Sequence, residues 1–550
     1  MTPAPDSEIE ARIARARSSP AARGVVERLA HRRFATLLEA RRGDPRPYLV
    51  FFSEKGERRE LSYRELATRV AARARALSRR AGVGRGDRVA LLMHNDPEAP
   101  VTYLACWALG ASAVPVNLGE DDERIGYVLE HSEAKAAVFL PELRERALGF
   151  RARAARVGSW LATDEPEEPA TLAPDADVDP ADEALVVYTS GTTGAPKGVV
   201  LTQQNLLVDA DAIARWHGLG RESRLMCVLP THHVNGLVVT LVTPLLVGGS
   251  VVLNRRFRTA DVLRRLALEG VDVVSVVPTL LAFLLEDGAA VRGLDLSRFR
   301  YPICGAGPLT VELAQRFEER FGVPIVHGYG LSETTCYSCF LPTDLGDREH
   351  ARWMRDFGFP SIGVPLDVNE MAIHDPAGRE LAPGERGEIV LRGPNVMKGY
   401  YRRPEANAET FAHGWFRSGD EGFLQHDERG RAFFFITGRI KELIIRGGVN
   451  LSPFEIDEVL NGIPGVARGL AVGFENDWYG EEVGAYVQRA PGAELGADEI
   501  LAACRARLPF AKSPKVVVFG DDVPVTSTGK YQRGRLRPHF AAHKTTQFRE

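Results

Sequence analysis

Between Tyr188 and Gly198 the chain reads Tyr-Thr-Ser-Gly-Thr-Thr-Gly-Ala-Pro-Lys-Gly, directly after an apolar stretch, Ala184 to Tyr188, that has the pattern of a buried strand. Gly191, Gly194 and Gly198 let the backbone turn tightly and bring its N–H groups close to an anion. Thr189, Ser190, Thr192 and Thr193 supply hydroxyls, and Lys197 supplies a mobile positive charge. Such a loop suits a polyphosphate. It is not a Walker loop, because the spacing G-x-x-x-x-G-K-[ST] is absent. An ordinary surface turn would not explain the ordered succession of hydroxyls, Pro196 and Lys197.

Further segments carry residue types that fit the same chemistry. Gly328-Tyr-Gly-Leu-Ser-Glu-Thr334 offers an aromatic face in Tyr329, a hard oxygen ligand in Glu333 and a hydroxyl in Thr334. Trp415-Phe-Arg-Ser-Gly-Asp420 ends on a carboxylate that can accept two charge-assisted hydrogen bonds from a diol. Gly438-Arg-Ile-Lys-Glu-Leu-Ile-Ile-Arg-Gly-Gly-Val-Asn-Leu-Ser-Pro453 and Pro524-Val-Thr-Ser-Thr-Gly-Lys530, with Arg533 beyond it, each set a lysine beside flexible sequence.

In order and wording these segments resemble the adenylate-forming superfamily: acyl- and aryl-CoA synthetases, peptide-synthetase adenylation domains and luciferases. The resemblance runs from about Leu61 to Arg533. It implies that residues 188–198 clamp the phosphates of ATP, that Tyr329 stacks on adenine, that Glu333 binds Mg²⁺ and that Thr334 donates to the α-phosphate. It further implies that Asp420 holds the ribose with help from Arg439, and that Lys530 stabilises charge at the reacting centre. Lys441 is then the hinge about which a small domain rotates between two half-reactions, with Gly447 and Gly448 lying close to a pantetheine arm. The implied activity is an ATP- and Mg²⁺-dependent carboxylic acid:CoA ligase of fatty or aryl acid metabolism. Two alternatives remain open: transfer of the acyl or aminoacyl group to a carrier-protein phosphopantetheine, and a non-catalytic nucleotide-binding module, against which Lys530, Glu333 and the phosphate loop argue together.

For the acid, the resemblance places pocket walls at His233, Val277-Pro278-Thr279, Gly305-Ala306-Gly307 and Gly330-Leu331, with Gly305, Ala306, Gly328 and Gly330 also bordering the nucleotide. These side chains suggest a mostly apolar slot, suited to aryl or aliphatic acids rather than dicarboxylates. His232 and His233 invite a metal reading, but adjacent residues on an extended segment point to opposite faces; His232 is expected to pack where relatives often carry an aromatic. Gln203 stands where a histidine is frequent.

These residues require a scaffold. Apolar runs alternate with helical patterns from Ala184 to about Leu331: a strand at Val271–Val277, a helix from Thr279, a short strand ending at Ile303, a helix with Leu313, Phe317 and Phe321 on one face, and a strand at Val323–Val326. This predicts an α/β fold in which helices cover largely parallel sheet and ligands collect beyond the strands' carboxyl ends. Upstream, Leu61–Leu66, Gly86–Leu91 and Ala108–Asn117 read as helix, strand, then helix and turn. Residues 163–182 read as an exposed connection. After Gly438 the pattern becomes that of a small α+β unit, with strands at Leu443–Ile445, Val466–Val472 and Val516–Phe519 and helices at Glu455–Leu460 and Ala497–Leu508. The expected division is therefore 1–438 for the large domain and 439–550 for the mobile one, joined through Thr437–Lys441.

Composition sets the remaining bounds. A chain of 550 residues with 44% hydrophobic and 26% charged residues has the makeup of an ordinary globular protein. A net charge of -4 gives no reason to expect nucleic acid or an anionic membrane as partner. Leu237–Leu253 is too short and too interrupted by Pro244, Gly248 and Gly249 to span a bilayer. Six cysteines do not suggest a disulfide framework, so a reducing cytoplasm is expected. Cys336 and Cys339 form a C-x-x-C without a second pair, which reads as packing near a pocket rather than zinc or redox chemistry.

Overall fold

Three parallel strands, Val273–Val276, Tyr301–Cys304 and Val326–Tyr329, lie side by side and run into Val277-Pro278, Gly305-Ala306-Gly307 and Gly330-Leu331. In the computed structural model, which describes residues 6–20, 22–171, 177–189, 195–286, 293–525 and 531–549, they form the middle of a nine-stranded sheet. Every residue of these strands is buried, as expected of parallel sheet covered on both faces. Helices Pro278–Glu286 and Val311–Phe321 make the crossovers, the first opening on a proline suited to a helix start. The last of the three strands sits three residues later than the sequence pattern suggests. Gly328 and Tyr329 therefore lie within it rather than after it, and pair with Phe340 and Cys339 of an antiparallel neighbour.

Among the described residues the other strands form a seven-stranded, a four-stranded and a five-stranded sheet. The seven-stranded sheet contains Glu183–Thr189, which pairs antiparallel with Lys197–Thr202 up to Thr189 opposite Lys197. The two flanks of the phosphate-loop sequence, Tyr188-Thr189 and Lys197-Gly198, are therefore paired with each other across the two strands. Ala108–Asn117 also departs from expectation: Ser112–Pro115 is a fully buried strand between Arg88–Leu92 and Glu183–Thr189. Residues around 165–168 are not simply exposed. Glu165 and Glu167 pair with Arg80 and Arg73 of helix Tyr63–Ala81, and Glu168 lies 2.8 Å from Arg75.

The four-stranded antiparallel sheet orders Glu370–His374, Gly387–Arg392, Phe416–His426 and Ala432–Arg439. Its last strand runs through much of the connection expected at Thr437–Lys441, so the chain leaves this sheet only after Arg439. Beyond it a separate core forms around Ile444, Ile456, Leu460, Val483, Ala485 and Ile500. Helices Pro453–Asn461 and Ala497–Arg507 flank strands Ile444–Arg446, Val466–Asn476, Gly480–Arg489 and Val516–Phe519. The C-terminal basic stretch is part of this unit: Phe540 is fully buried, close against Gly484. Among the described residues no helix is long and apolar enough to cross a membrane.

Candidate active site

Asp420 is the buried anion around which one half of the site is built. It is 1% exposed, accepts a 2.6 Å hydrogen bond from the Tyr329 hydroxyl at Oδ2, and has Arg439 Nε 2.8 Å from Oδ1. Arg439 is its register partner on the neighbouring strand, so sheet pairing itself delivers the countercharge. Burial and the adjacent Asp420 charge push the Tyr329 phenol well above its usual range, and Asp420 raises the Arg439 guanidinium, so Tyr329 stays a neutral donor and Arg439 a cation. Oδ1 takes no aligned hydrogen bond despite its ion pair, which leaves it with acceptor capacity.

Four residues on from Tyr329, Glu333 lies in the short 3₁₀ turn Ser332–Thr334. Its Oε1 accepts a 2.8 Å hydrogen bond from Tyr400, whose ring has Lys197 Nζ 4.9 Å from its centre. Tyr400 stands on a two-residue strand paired with Val199 and Val200, and so ties the phosphate hairpin to the carboxylate. Among the described residues no group of three or more His, Cys, Asp or Glu could hold a metal, so any cation at Glu333 would need ligands from elsewhere. Thr334 is fully buried; its hydroxyl accepts from Leu331 N–H at 3.1 Å and closes the turn, rather than pointing outward as its expected α-phosphate contact would need. Ser190, Gly191, Thr192, Thr193 and Gly194 lie outside the described residues, as does Lys530.

At the turns that follow the three parallel strands, close approach explains the small residues. A Cβ on Gly330 would stand 1.8 Å from the Cys336 carbonyl, and one on Gly305 would stand 2.7 Å from both Gly328 O and Tyr337 Oη. Ala306 adopts φ +61°, a left-handed conformation that side chains rarely take, in the turn beside Gly307. The His232–His233 expectation requires correction. Residues 230–233 form a turn, with His233 N–H bonded to the Pro230 carbonyl, so the two rings meet at 4.2 Å instead of facing apart. Burial lowers His232 to about 4 and its Nε2 has no partner; it is a neutral ring. Two residues further on, Asn235 joins a polar cluster that sequence reasoning missed: Ser275 Oγ donates to Asn235 Oδ1 (2.5 Å) and Asn235 Nδ2 donates to Tyr337 Oη (3.1 Å). The parallel strand ends are therefore backed by a buried polar cluster as well as by apolar packing. Cys336 and Cys339 are buried free thiols, as are the other four cysteines.

A second missed network braces the turn that carries Glu333. Asp209, fully buried on helix Gln203–Trp216, accepts from Asn395 Nδ2 (3.0 Å) and from Tyr337 N–H (3.4 Å). Asn205 Nδ2 donates to the Pro394 and Val396 carbonyls, Thr335 Oγ1 to the Asn395 carbonyl, and Met397 N–H to the Glu333 carbonyl. Residues 394–397 are thereby fixed on one side to a helix and on the other to the 333–337 turn. Nothing local in the sequence signals this; the only hint is an asparagine and an aspartate on the buried face of an otherwise apolar helix. Gln203, the departure from a frequent histidine, is likewise structural, accepting from Phe34 N–H and donating to the Trp107 carbonyl.

A cleft lies between the large and small units. It is lined by Pro278, Thr279 and Gly307 from the strand ends, with Phe454, Arg468 and Tyr531 from the small unit. Tyr531 is the first described residue after the lysine-bearing segment, whose Lys530 lies outside the described residues. Val277 is buried next to Pro278 and Leu331 is half-buried at the adjoining strand end. Lys441 is exposed in the turn Ile440–Glu442 between the two units. Gly447 and Gly448, at φ +56° and +83°, form the two-residue turn of a hairpin and do not line the cleft.

Fold and site together define an adenylate-forming enzyme. Residues 39–401 match the family described as AMP-binding enzyme, and residues 455–530 match the AMP-binding enzyme C-terminal domain. A feruloyl-CoA synthase from an Amycolatopsis species is 37% identical over 481 residues, 87% of this chain and 94% of that protein. A sulfoacetate–CoA ligase of Cupriavidus necator is 36% identical over 476 residues, 84% of this chain and 89% of that one. The crystal structure of ATP-bound MatB from Rhodopseudomonas palustris matches with a TM-score of 0.80 at 30% identity, covering 92% of this chain and 99% of the other. The chain belongs to the AMP-binding enzyme family, on its AMP-forming acyl-CoA synthetase branch.

The Asp209 brace has a pH signature. Burial raises this carboxyl from an ordinary 3.8 to about 8. The folded chain therefore keeps a proton that the unfolded chain loses, and this group's contribution to stability, full below pH 4, declines as pH rises towards 8. Thermal unfolding at pH 5 and pH 8 should show a smaller loss of midpoint in Asp209→Asn than in the parent; an equal loss in both would contradict the assignment.

Proposed function

We propose that the chain is an ATP-dependent carboxylic acid:CoA ligase working in two steps at one site. In the first, a carboxylate oxygen attacks the α-phosphorus of ATP, the bond to pyrophosphate breaks, and acyl-AMP forms. In the second, the thiolate of CoA attacks the acyl carbonyl carbon and AMP leaves with the bridging oxygen. The observation that carries this reading is the pairing of Tyr329 with Asp420 and Arg439, and of Glu333 with Tyr400 and Lys197, four residues apart on one strand and turn. That spacing suits a ribose at one end and a triphosphate at the other.

Asp420 Oδ1 has the free acceptor capacity that a ribose hydroxyl needs. Tyr329 would border adenine, with Gly328, Gly330, Gly305 and Ala306 beside it. Lys197 and the loop 189–194 would hold the β- and γ-phosphates. A single carboxylate fits Mg²⁺ that arrives coordinated by phosphate oxygens and water, and Glu333 would hold it there; the ion would neutralise phosphate charge. Thr334 would reach the α-phosphate only after giving up its bond to Leu331. Lys530 would contact both the attacking carboxylate and the α-phosphate, where negative charge grows most in the transition state.

The boundary at 438 and 439 is proposed as the one about which the small domain turns, with Lys441 absorbing the backbone change. That turn would bring Gly447 and Gly448 to the pantetheine arm of CoA. The acid is proposed to be an aryl or aliphatic monocarboxylate, bordered by His233, Val277, Pro278, Thr279, Gly307 and Leu331. The feruloyl-CoA synthase relative supports an aryl acid, and the Asn235–Ser275–Tyr337 cluster supports a slot that ends beside Gly305. Free buried cysteines agree with a reducing cytoplasm as the place of work.

Three outcomes test this. Lys530→Ala should reduce acid-dependent ATP–pyrophosphate exchange by about 10²-fold or more, as removal of a transition-state contact does; near-normal exchange would contradict its role. Asp420→Ala should raise the KM for ATP by about tenfold, the scale of a lost charge-assisted hydrogen bond; an unchanged KM would remove the ribose assignment. Lys441→Pro should spare exchange while slowing thioester formation, measured with CoA and, in parallel, with a phosphopantetheinylated carrier protein. Equal loss of both steps would contradict the hinge, and product with the carrier alone would reassign the acceptor.

A further inference from the structure

Helix Val311–Phe321 of the large unit starts under the side chain of Thr310, which accepts from Leu313 N–H. That cap leaves the Val311 N–H, one of the helix's orphan donors, to find a partner elsewhere. The partner comes from across the cleft. Both carboxyl oxygens of Glu458, on helix Pro453–Asn461 of the small unit, lie 3.1 Å from Val311 N. A carboxyl oxygen can satisfy such an orphan donor, so this is a directed contact between the two units, beside the packing of Phe454 against the large unit's core.

We propose that Glu458 is a latch that holds the small domain in the arrangement seen here, and that it must release before the second half-reaction. The proposal rests on the two-step reading above. In this arrangement Tyr531 lines the cleft beside Pro278, Thr279 and Gly307, while Gly447 and Gly448 lie exposed outside it. On the two-step reading it is the arrangement for adenylation. Any rotation about Lys441 separates Glu458 from Val311, because each belongs to a different moving body. The same rotation breaks the 5.2 Å approach of the Arg468 guanidinium to the Phe283 ring, a further contact of the same interface.

The latch is built to be releasable. Glu312 and Asp457 place like charges beside Glu458, and Glu312 Oε2 has no hydrogen-bond partner. Arg507 offsets part of this repulsion; Arg316 is engaged with Glu312, and Asp457 is bound to Arg533. Burial together with Asp457 and Glu312 raises Glu458 to about 8, so near neutral pH the docked carboxyl is largely protonated and meets Val311 N–H as a neutral acceptor. A single bifurcated acceptor among acids orients the domain without fixing it.

The test uses the full chain with spin labels at Leu268→Cys and Trp478→Cys, one exposed site on each unit; the native thiols are all buried. Inter-domain distances are measured in the parent, Glu458→Ala and Glu458→Gln, beside pyrophosphate exchange and thioester formation from supplied acyl-adenylate. In Glu458→Ala the parent distance should lose population relative to others by about fivefold, the scale of a lost neutral hydrogen bond. Exchange should fall in step, while thioester formation from the adenylate is unchanged or faster. Glu458→Gln retains an acceptor for Val311 N–H and should keep both the distance and the exchange rate. An unchanged distance in Glu458→Ala, equal loss of both half-reactions, or identical behaviour of the two variants would overturn the latch. If the parent catalyses no exchange with any acid, the two-step reading fails by itself, and the distances still decide whether Glu458 holds the domains.

Discussion

A buried carboxylate needs a partner, and Asp420 takes one from another sheet and one from the neighbouring strand of its own. Tyr329 belongs to the nine-stranded sheet, Asp420 to the four-stranded one, and Arg439 is the last residue before the chain enters the small unit. An unpaired charge at 1% exposure would cost several kcal/mol, or the proton would be taken up instead. Satisfying Asp420 thus fixes how the two sheets meet and where the small unit begins. The nucleotide end of the site and the start of the proposed hinge are the same few residues.

Close packing extends that constraint to the acid end. Gly305 and Gly330 let strand ends approach to distances that a methyl group would forbid, and the space so created is filled by Tyr337. Tyr337 is held at its backbone by Asp209 and Asn395 and at its hydroxyl by Asn235. The turn carrying Glu333 lies between these two anchorages. The carboxylate proposed to meet the metal is positioned by Tyr400 and by contacts to the backbone of residues 395–397 as well as by its own turn.

This division explains what could be read in advance. Glu333 and Asp420 could be picked out as candidates because residue type and short spacing carry their chemistry, whereas loop residues 190–194 and Lys530 lie outside the described residues. The parallel strands were legible because continuous apolar runs ending in glycine turns leave few other readings. Tyr400, Asp209, Asn395 and Glu458 were not, since each acts through a partner 67 to 186 residues away that only the folded sheets bring near. The histidine pair was misread because period-two alternation assumes extended backbone, whereas residues 230–233 turn. The strand at 326–329 was placed too early because glycines in Gly328-Tyr-Gly330 look like a turn; here Gly328 serves close packing against Phe340 within the strand.

The central claim is that the acid is activated by attack on the α-phosphorus before any thiol arrives. Isotope transfer tests it most directly. With a substrate acid labelled with ¹⁸O in its carboxylate, a complete reaction with ATP and CoA should place one labelled oxygen in AMP and none in pyrophosphate. Label in pyrophosphate or inorganic phosphate, or AMP without label, would contradict the account.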